Sequence, residues 1–576
     1  MRSVILCLSC FSLLVFSSFI FRTEKQESPF IEKTFKPIRI RLMVSHAFIA
    51  EYDNKKMAVL HEAFKKSVHF LKTTIRVRRL KHSINLHRYK CVDYNNYPIA
   101  SHWLKDGVPN TDLMFFVDLK STASCAKPQH TLAFALSCTP TVNLINRPTL
   151  GYLVICKNST AIKPWNVRSI RATMIHEMMH VMAFNDLSLY IITAMINNEY
   201  NSNNVEQEWK VNDNFTLIQE INFISTPRVM KFVREHFNCP DLIGAQLEDN
   251  GGSGTRNSHW KKRLFGNEIM TGKQSNRVVF SALTSALLED SRWYAVNYLN
   301  VEELEYGKGA GCIFAQKSCK EYVDSVKDEP FAAYPYCNWE DFLTRQRMGS
   351  SQLIRCNKER TKYMFCNFVV NKTLSEKYKY FGDKKTILDT GEVVSGVHVS
   401  GGEELFNYCP VWQELHWRWW LNHFDDSICQ HSVGDTDPDL NFAAESRGPN
   451  AICIEQKTSF AILRSLGISI FSVTTSVHDT RFGAGCYEYK CYKGRLMLRA
   501  ASKLDYIPQA EFKICWHAGA LLRVTRHFLS NDGTHQIHRG ILICPPCQEI
   551  CTKKDKNFQC EPETTGIESR DLMLAL

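Results

Sequence analysis

Apolar and polar residues alternate from Pro37 to Val44, as in a half-buried strand. Met57, Leu60, Ala63, Phe64, Val68 and Leu71 then recur on one stripe, which predicts an amphipathic helix over 57–71. Two short apolar runs follow, Leu113–Val117, bounded by Asp112 and Asp118, and Gly151–Cys156. Both read as central strands. The stretch from Thr173 to Phe184 is apolar except for a few positions that include His176, Glu177 and His180. It reads as a buried helix, with Asn166 or Ser169 as its N-cap. A second apolar helix is expected over Leu187–Ile196, then an Asn-rich loop over 197–204, and another helix over Ser281–Leu288. Strands feeding a long helix predict an α+β fold, the helix laid across a mixed sheet. From Gly311 onward Cys becomes frequent and periodicity fades, the pattern of disulfide-stapled, loop-rich domains.

A chain of 576 residues is too long for one core. The expected divisions are a targeting segment (1–22), an N-terminal catalytic subdomain (36–250), a central subdomain (251–380) and a Cys-rich C-terminal domain (381–576). The flexible run Gly251–Gly254 marks one boundary. A cluster of charges with Gly382, Gly391, Gly396, Gly401 and Gly402 marks the next. With 44% hydrophobic and 22% charged residues the composition is globular, not disordered. The formal charge of +11 favours acidic partners, but Lys and Arg form no long run, so the sequence reads as a solvated basic surface. No Gly-rich phosphate loop is present, and no nucleic-acid partner is expected.

The uncharged run Val4–Phe21, between Arg2 and Arg22, reads as a cleaved signal peptide, with a signal anchor as the alternative. Either places the chain outside the cytosol, secreted or at the cell surface. Of 22 Cys, Cys7 and Cys10 fall in that segment, leaving an even twenty suited to disulfides. Cys544-Pro545-Pro546-Cys547, with Cys551 and Cys560 close behind, reads as a disulfide knot rather than a redox or zinc site. Sequons at Asn158, Asn214 and Asn371 agree with a secreted glycoprotein. The tail Asp571–Leu576 is too short for a GPI signal.

His176-Glu177-Met178-Met179-His180 is an H-E-x-x-H pattern. On a helix its two imidazoles lie one turn apart on one face and can share an ion, while Glu177 is placed to take a water proton. A catalytic zinc needs a third protein ligand and an open position. Two residues compete on spacing. Asp186 lies six residues beyond His180, past Ala183 in the turn, and His259 lies 79 residues beyond.

Ser258-His259-Trp260 with Arg263, then Glu268-Ile269-Met270, resemble the third-ligand and Met-turn segments of the leishmanolysin/invadolysin metalloproteases. Further blocks resemble them too: Cys125 with Leu132–Ala135 and Cys138; Arg147-Pro148; Gly151-Tyr152; Cys156; Leu247-Glu248; Glu289–Tyr294; Tyr306-Gly307; and Gly311-Cys312. The likeness runs from about residue 36 to about 560. It implies a metzincin-like catalytic domain holding one Zn²⁺ per chain on His176, His180 and His259. It implies Glu177 as general base, Met270 as the structural Met-turn residue and Asp186 as a helix-end residue. It further implies endopeptidase action on extracellular proteins or peptides, with attachment to the cell surface or membrane left open. The alternative is a catalytically silent relative acting as a secreted adhesion or decoy protein. Two departures stand out. Ala183 replaces a Gly that eases a turn, at about 1 kcal/mol if φ there must be positive. Little chain separates residue 22 from residue 36, leaving scant room for an inhibitory propeptide.

Overall fold

The structure is a computed structural model. It describes residues 31–562 apart from 52–53, 123–124, 126–131, 139–146, 158, 160–161, 163–166, 198–203, 276, 328–332, 348–351, 372, 382–385, 388–392, 395–397, 415, 420–422, 431–440, 442, 466–472, 479–480, 502–510 and 530–534. The targeting segment 1–22, the sequon Asn158, the cap candidate Asn166, most of the Asn-rich loop, Gly382, Gly391, Gly396 and the tail 571–576 lie outside the described residues. The fold is a mixture of helix and sheet with many disulfides, divided into two compact units.

The first unit comprises Met1–Glu199 with Ala282–Glu302. The stretch read as one strand over 37–44 is two. β1 (Ile31–Pro37) pairs with β3 (Ile75–Leu80), whereas β2 (Ile40–Val44) pairs parallel with β4 (Leu113–Lys120). The cause is Asp112. Its carboxylate accepts the backbone N–H of Arg39 at 3.0 Å, and its own N–H donates to the Arg39 carbonyl at 2.8 Å, turning the chain between the two sheets. The amphipathic stripe forms α1 (Asn54–Thr74), longer than expected at both ends. β4 and β6 (Leu150–Cys156) continue the parallel pairing, and β5 (Ala133–Ser137) closes the edge antiparallel, giving the order β2-β4-β6-β5. Residues 113–119 are all buried, the signature of a central strand covered on both faces.

Across β5 and β6 lies α2 (Val167–Met182), also packed on α1, where Ser67 Oγ donates to the Arg171 carbonyl at 3.2 Å. Ile170, Met174, Ile175, Met178, Met179, Val181 and Met182 are buried, each contributing roughly 1.5–3 kcal/mol gross. That total offsets the several kcal/mol spent on burying the polar residues between them. Ser169 sits inside the first turn and is not the cap. The close approach depends on Gly151 of β6, because a Cβ there would stand 2.5 Å from Val181 Cγ1. Gly151→Ala is expected to lower stability by about 1–3 kcal/mol through this overlap, read as a lower melting temperature. An unchanged melting temperature would refute the contact. α3 (Asp186–Asn197) follows, bent 54° from α2. Among the described residues no single helix is long and apolar enough to cross a membrane. Later in the chain, α5 (Ala282–Asp290) leads to β10 (Tyr294–Val296), which pairs with β3.

The second unit comprises Tyr200–Ser281 with Glu303–Leu576. β7 (Asn204–Asn212), β8 (Phe215–Ile224) and β9 (Ala245–Gln246) form an antiparallel sheet next to α4 (Pro227–Phe237). The exposed sequon Asn214 is in the β7–β8 turn. Beyond residue 311 the chain is less loop-rich than its periodicity suggests. It builds a seven-stranded sheet around the long strand Ala451–Ser465, with a core of Ile454, Phe460, Tyr487, Leu496 and Leu542. That strand is shared between successive neighbours and bulged between 456 and 461, so its apolar alternation changes phase and fades from view.

All twenty cysteines after residue 22 are paired, Cys91–Cys138 and Cys125–Cys156 in the first unit and eight bridges in the second. The C-terminal knot is three separate bridges, Cys515–Cys544, Cys547–Cys560 and Cys491–Cys551. Bridges closing 29 to 97 residues each add about 3–5 kcal/mol in a chain-entropy account.

Candidate metal centre

The period of α2 brings His176 and His180 together edge to face. Their rings stand 4.6 Å apart at 88°, and their Nε2 atoms are 3.0 Å apart. His180 Nδ1 lies 2.6 Å from the Phe184 carbonyl, so it carries the proton and donates it. Nε2 of that ring is then a lone pair facing a second ring nitrogen. Burial holds the His180 pKa below its ordinary value, with the Phe184 carbonyl pulling the other way, so the ring is neutral at neutral pH.

The helix ends by local chemistry. Ala183 and Phe184 both donate N–H to the Met179 carbonyl, at 2.9 and 3.0 Å. Tyr294 Oη donates to the Met182 carbonyl at 3.1 Å. Asn185 then bridges the two helices: its Nδ2 donates to the His180 carbonyl, and its Oδ1 accepts the N–H of Ser188, both at 2.9 Å. Ala183 is not among the residues with positive φ. The turn therefore needs no glycine, and the cost anticipated for Ala183 does not arise. The role of Asn185 was missed in the sequence, although an Asn just before an apolar helical run is a cap signal. Asp186 is the exposed first residue of α3, where its charge suits the positive helix end.

His259 is buried. Its Nδ1 is 2.9 Å from the Thr255 carbonyl and 3.1 Å from Ser258 Oγ, so Nδ1–H donates to the carbonyl and Nε2 is left as a lone pair. The backbone around it is pinned. Glu248 N donates to the His259 carbonyl at 2.9 Å, Trp260 N to Met270 O at 2.9 Å and Lys261 N to Gln246 O at 3.0 Å. Met270 is fully buried in a tight turn held by its own neighbour Glu268. Glu268 Oε2 accepts the Met270 N–H at 2.6 Å, and Oε1 accepts Ser281 Oγ at 2.8 Å.

Three consecutive cations follow His259 into the interior, a feature the sequence alone does not announce. Lys261 pairs with Glu248 at 2.9 Å and with Asp249. Lys262 Nζ donates to the carbonyls of Gly266 and Lys273 and to Ser275 Oγ. Arg263 stacks on Trp209 at 4.6 Å. Burial pushes both lysines down to about 8. They persist because each ammonium has partners in place of water.

His176, His180 and His259 each offer one ligand atom, and these atoms lie within 4.8 Å of one another. Asp186 is not in the group. Three imidazoles, two with Nδ1 tied to carbonyl oxygens, fit a borderline-soft divalent ion such as Zn²⁺. Glu177, next to His176, is buried. Burial pushes its carboxyl up to about 8, opposed by a hydrogen bond from the Ala135 N–H of β5.

Residues 50–557 match the family model described as Leishmanolysin. The chain is 31% identical over 490 residues to a leishmanolysin-like peptidase of Drosophila melanogaster, covering 79% of this chain and 66% of that relative. It is 29% identical over 477 residues to one of Caenorhabditis elegans, covering 78% and 67%. A ciliated left-right organizer metallopeptidase of Xenopus laevis matches at 30% over 220 residues, 36% of this chain and 28% of that protein. The chain thus spans about two thirds of the length of the first two.

Proposed function

We propose that this chain, which belongs to the leishmanolysin family of peptidases, is a zinc endopeptidase of extracellular or cell-surface proteins, built on a metzincin-like catalytic core. The observation that carries the reading is the histidine group, whose ligand atoms lie within 4.8 Å of one another. His176, His180 and His259 would hold one Zn²⁺ as neutral imidazoles. When bound, zinc supplies Lewis-acid chemistry, lowering the pKa of a water and polarising the scissile carbonyl. Glu177 takes the water proton as general base and delivers it to the leaving amine. A carboxyl drawn toward neutral by burial can do both within one cycle, and the Ala135 N–H fixes its orientation. Met270 acts structurally, its turn held by Glu268. Ten disulfides support an oxidising, extracellular location. Recovery of the full chain from the culture medium or cell surface checks that location.

A peptide-library assay with a zinc chelator tests the activity. Cleavage is expected to stop with chelator and return with added zinc, at one zinc per chain. Cleavage indifferent to the chelator would overturn the mechanism. One bound zinc without any cleavage would favour the silent adhesion or decoy protein.

A further inference from the structure

The chain's positive surplus is concentrated in one stretch of its sequence. Residues 36–90 hold fourteen Lys and Arg against three Asp and Glu, a surplus of 11 equal to the formal charge of the whole chain. The other residues balance, 56 against 56. The fold keeps all fourteen cations exposed or half-exposed. On β3, Ile75 and Val77 turn inward while Arg76 and Arg78 face solvent, as strand alternation requires. The same strand reaches an open recess through Arg79, of the opposite parity; the recess has a volume of 570 Å³ and its lining includes Arg39, Arg41, Lys72, Arg79, Asn110 and Thr111.

The guanidinium groups are held in fixed attitudes. Arg39 grips the Asp112 carboxylate at 2.9 and 3.0 Å. Arg79 donates to the Pro37 carbonyl at 2.9 Å, and Arg41 lies over Trp103 at 4.6 Å. Asp112 is a single carboxylate faced by Arg39, Arg79 and Arg147, so a positive surplus remains.

We propose that this recess and the adjoining exposed face of β3 bind a linear sulfated polysaccharide. The Arg39 fork is taken up by Asp112, so Lys72, Arg41 and Arg79, with Arg76 and Arg78 of β3, supply the cations that suit discrete tetrahedral oxyanions, and a concave groove suits a chain. A flat anionic bilayer fits less well. The exposed apolar tip nearest β10, Tyr298 and Leu299, carries a carboxylate beside it, with Tyr298 Oη donating to Glu289 at 3.1 Å, which an anionic surface would repel. The recess has no aromatic lining on which bases could stack.

The test is binding of the full chain to heparin, used as the probe polysaccharide, across a salt series. The triple variant Lys72→Glu, Arg76→Glu, Arg78→Glu is compared with Lys231→Glu, Lys513→Glu, Lys553→Glu, an equal charge change on exposed lysines of the second unit. The first triple is expected to lose at least about ten-fold more affinity than the second, since contacts and not net charge decide it. Should it fail to fold, Arg76→Gln with Arg78→Gln replaces it, with a smaller loss in the same order. Equal losses in both triples would overturn the site. So would no heparin binding at physiological salt, or tighter binding to phosphatidylserine vesicles. Heparin binding should be indifferent to a zinc chelator, which separates this result from that of the peptidase assay.

Discussion

Replacing Glu177 with Gln is expected to lower kcat by about 10²–10⁴-fold while zinc stays at one per chain. The amide keeps the shape of the side chain and can still accept the Ala135 N–H, so β5 and α2 keep their contact. It cannot take a proton from water. Folding should not suffer, because the substitution removes an ionisable group that burial already disfavours in its charged form. The measurements are metal content, melting temperature and cleavage of one selected peptide. Near-normal turnover with zinc bound would remove Glu177 from the mechanism. Loss of zinc together with activity would show that Glu177 shapes the site and does not act as the base.

His259→Ala is expected to weaken zinc binding by more than about 100-fold, since losing a ligand costs more than losing a ligand's hydrogen-bond partner. Activity should fall with it. Asp186→Ala is the matched comparison, because on spacing alone both residues qualify as third ligand. Asp186 is exposed at the start of α3, so its loss should cost only about 0.3–1 kcal/mol of stability through the helix dipole. Zinc content and cleavage should be unchanged. Retained zinc in the His259 variant and lost zinc in the Asp186 variant would reverse the assignment. The loop around His259 is pinned by backbone hydrogen bonds from Glu248, Trp260 and Lys261 that do not involve the imidazole, so the alanine variant should fold.

Much of the first unit was legible because its signals are local. The 3.6-residue period located α1 and paired His176 with His180, and the apolar runs located β4 and β6. The break at residues 38–39 was not legible, because it is made by Asp112, more than seventy residues away. Ala183 looked like a defect only while its φ was unknown. The long strand Ala451–Ser465 was hidden because it meets different neighbours along its length and is bulged between 456 and 461. The buried run Lys261–Arg263 could not be anticipated, since its partners Glu248, Gly266, Lys273 and Trp209 come from turns and strands with no fixed spacing.

By itself the sequence determined a histidine pair one helical turn apart, a carboxylate beside it and an even complement of cysteines suited to pairing. Each follows from residue type and short spacing, which helix geometry and thiol chemistry convert directly into structure. In the tertiary structure a ligand atom of the distant His259 lies within 4.8 Å of those of the pair. The fold also set how the cysteines are matched, and it kept the Lys and Arg surplus of residues 36–90 at the surface. Those outcomes depend on long-range packing, where a side chain's neighbours are chosen by burial and hydrogen-bond satisfaction over the whole unit and not by its place in the chain.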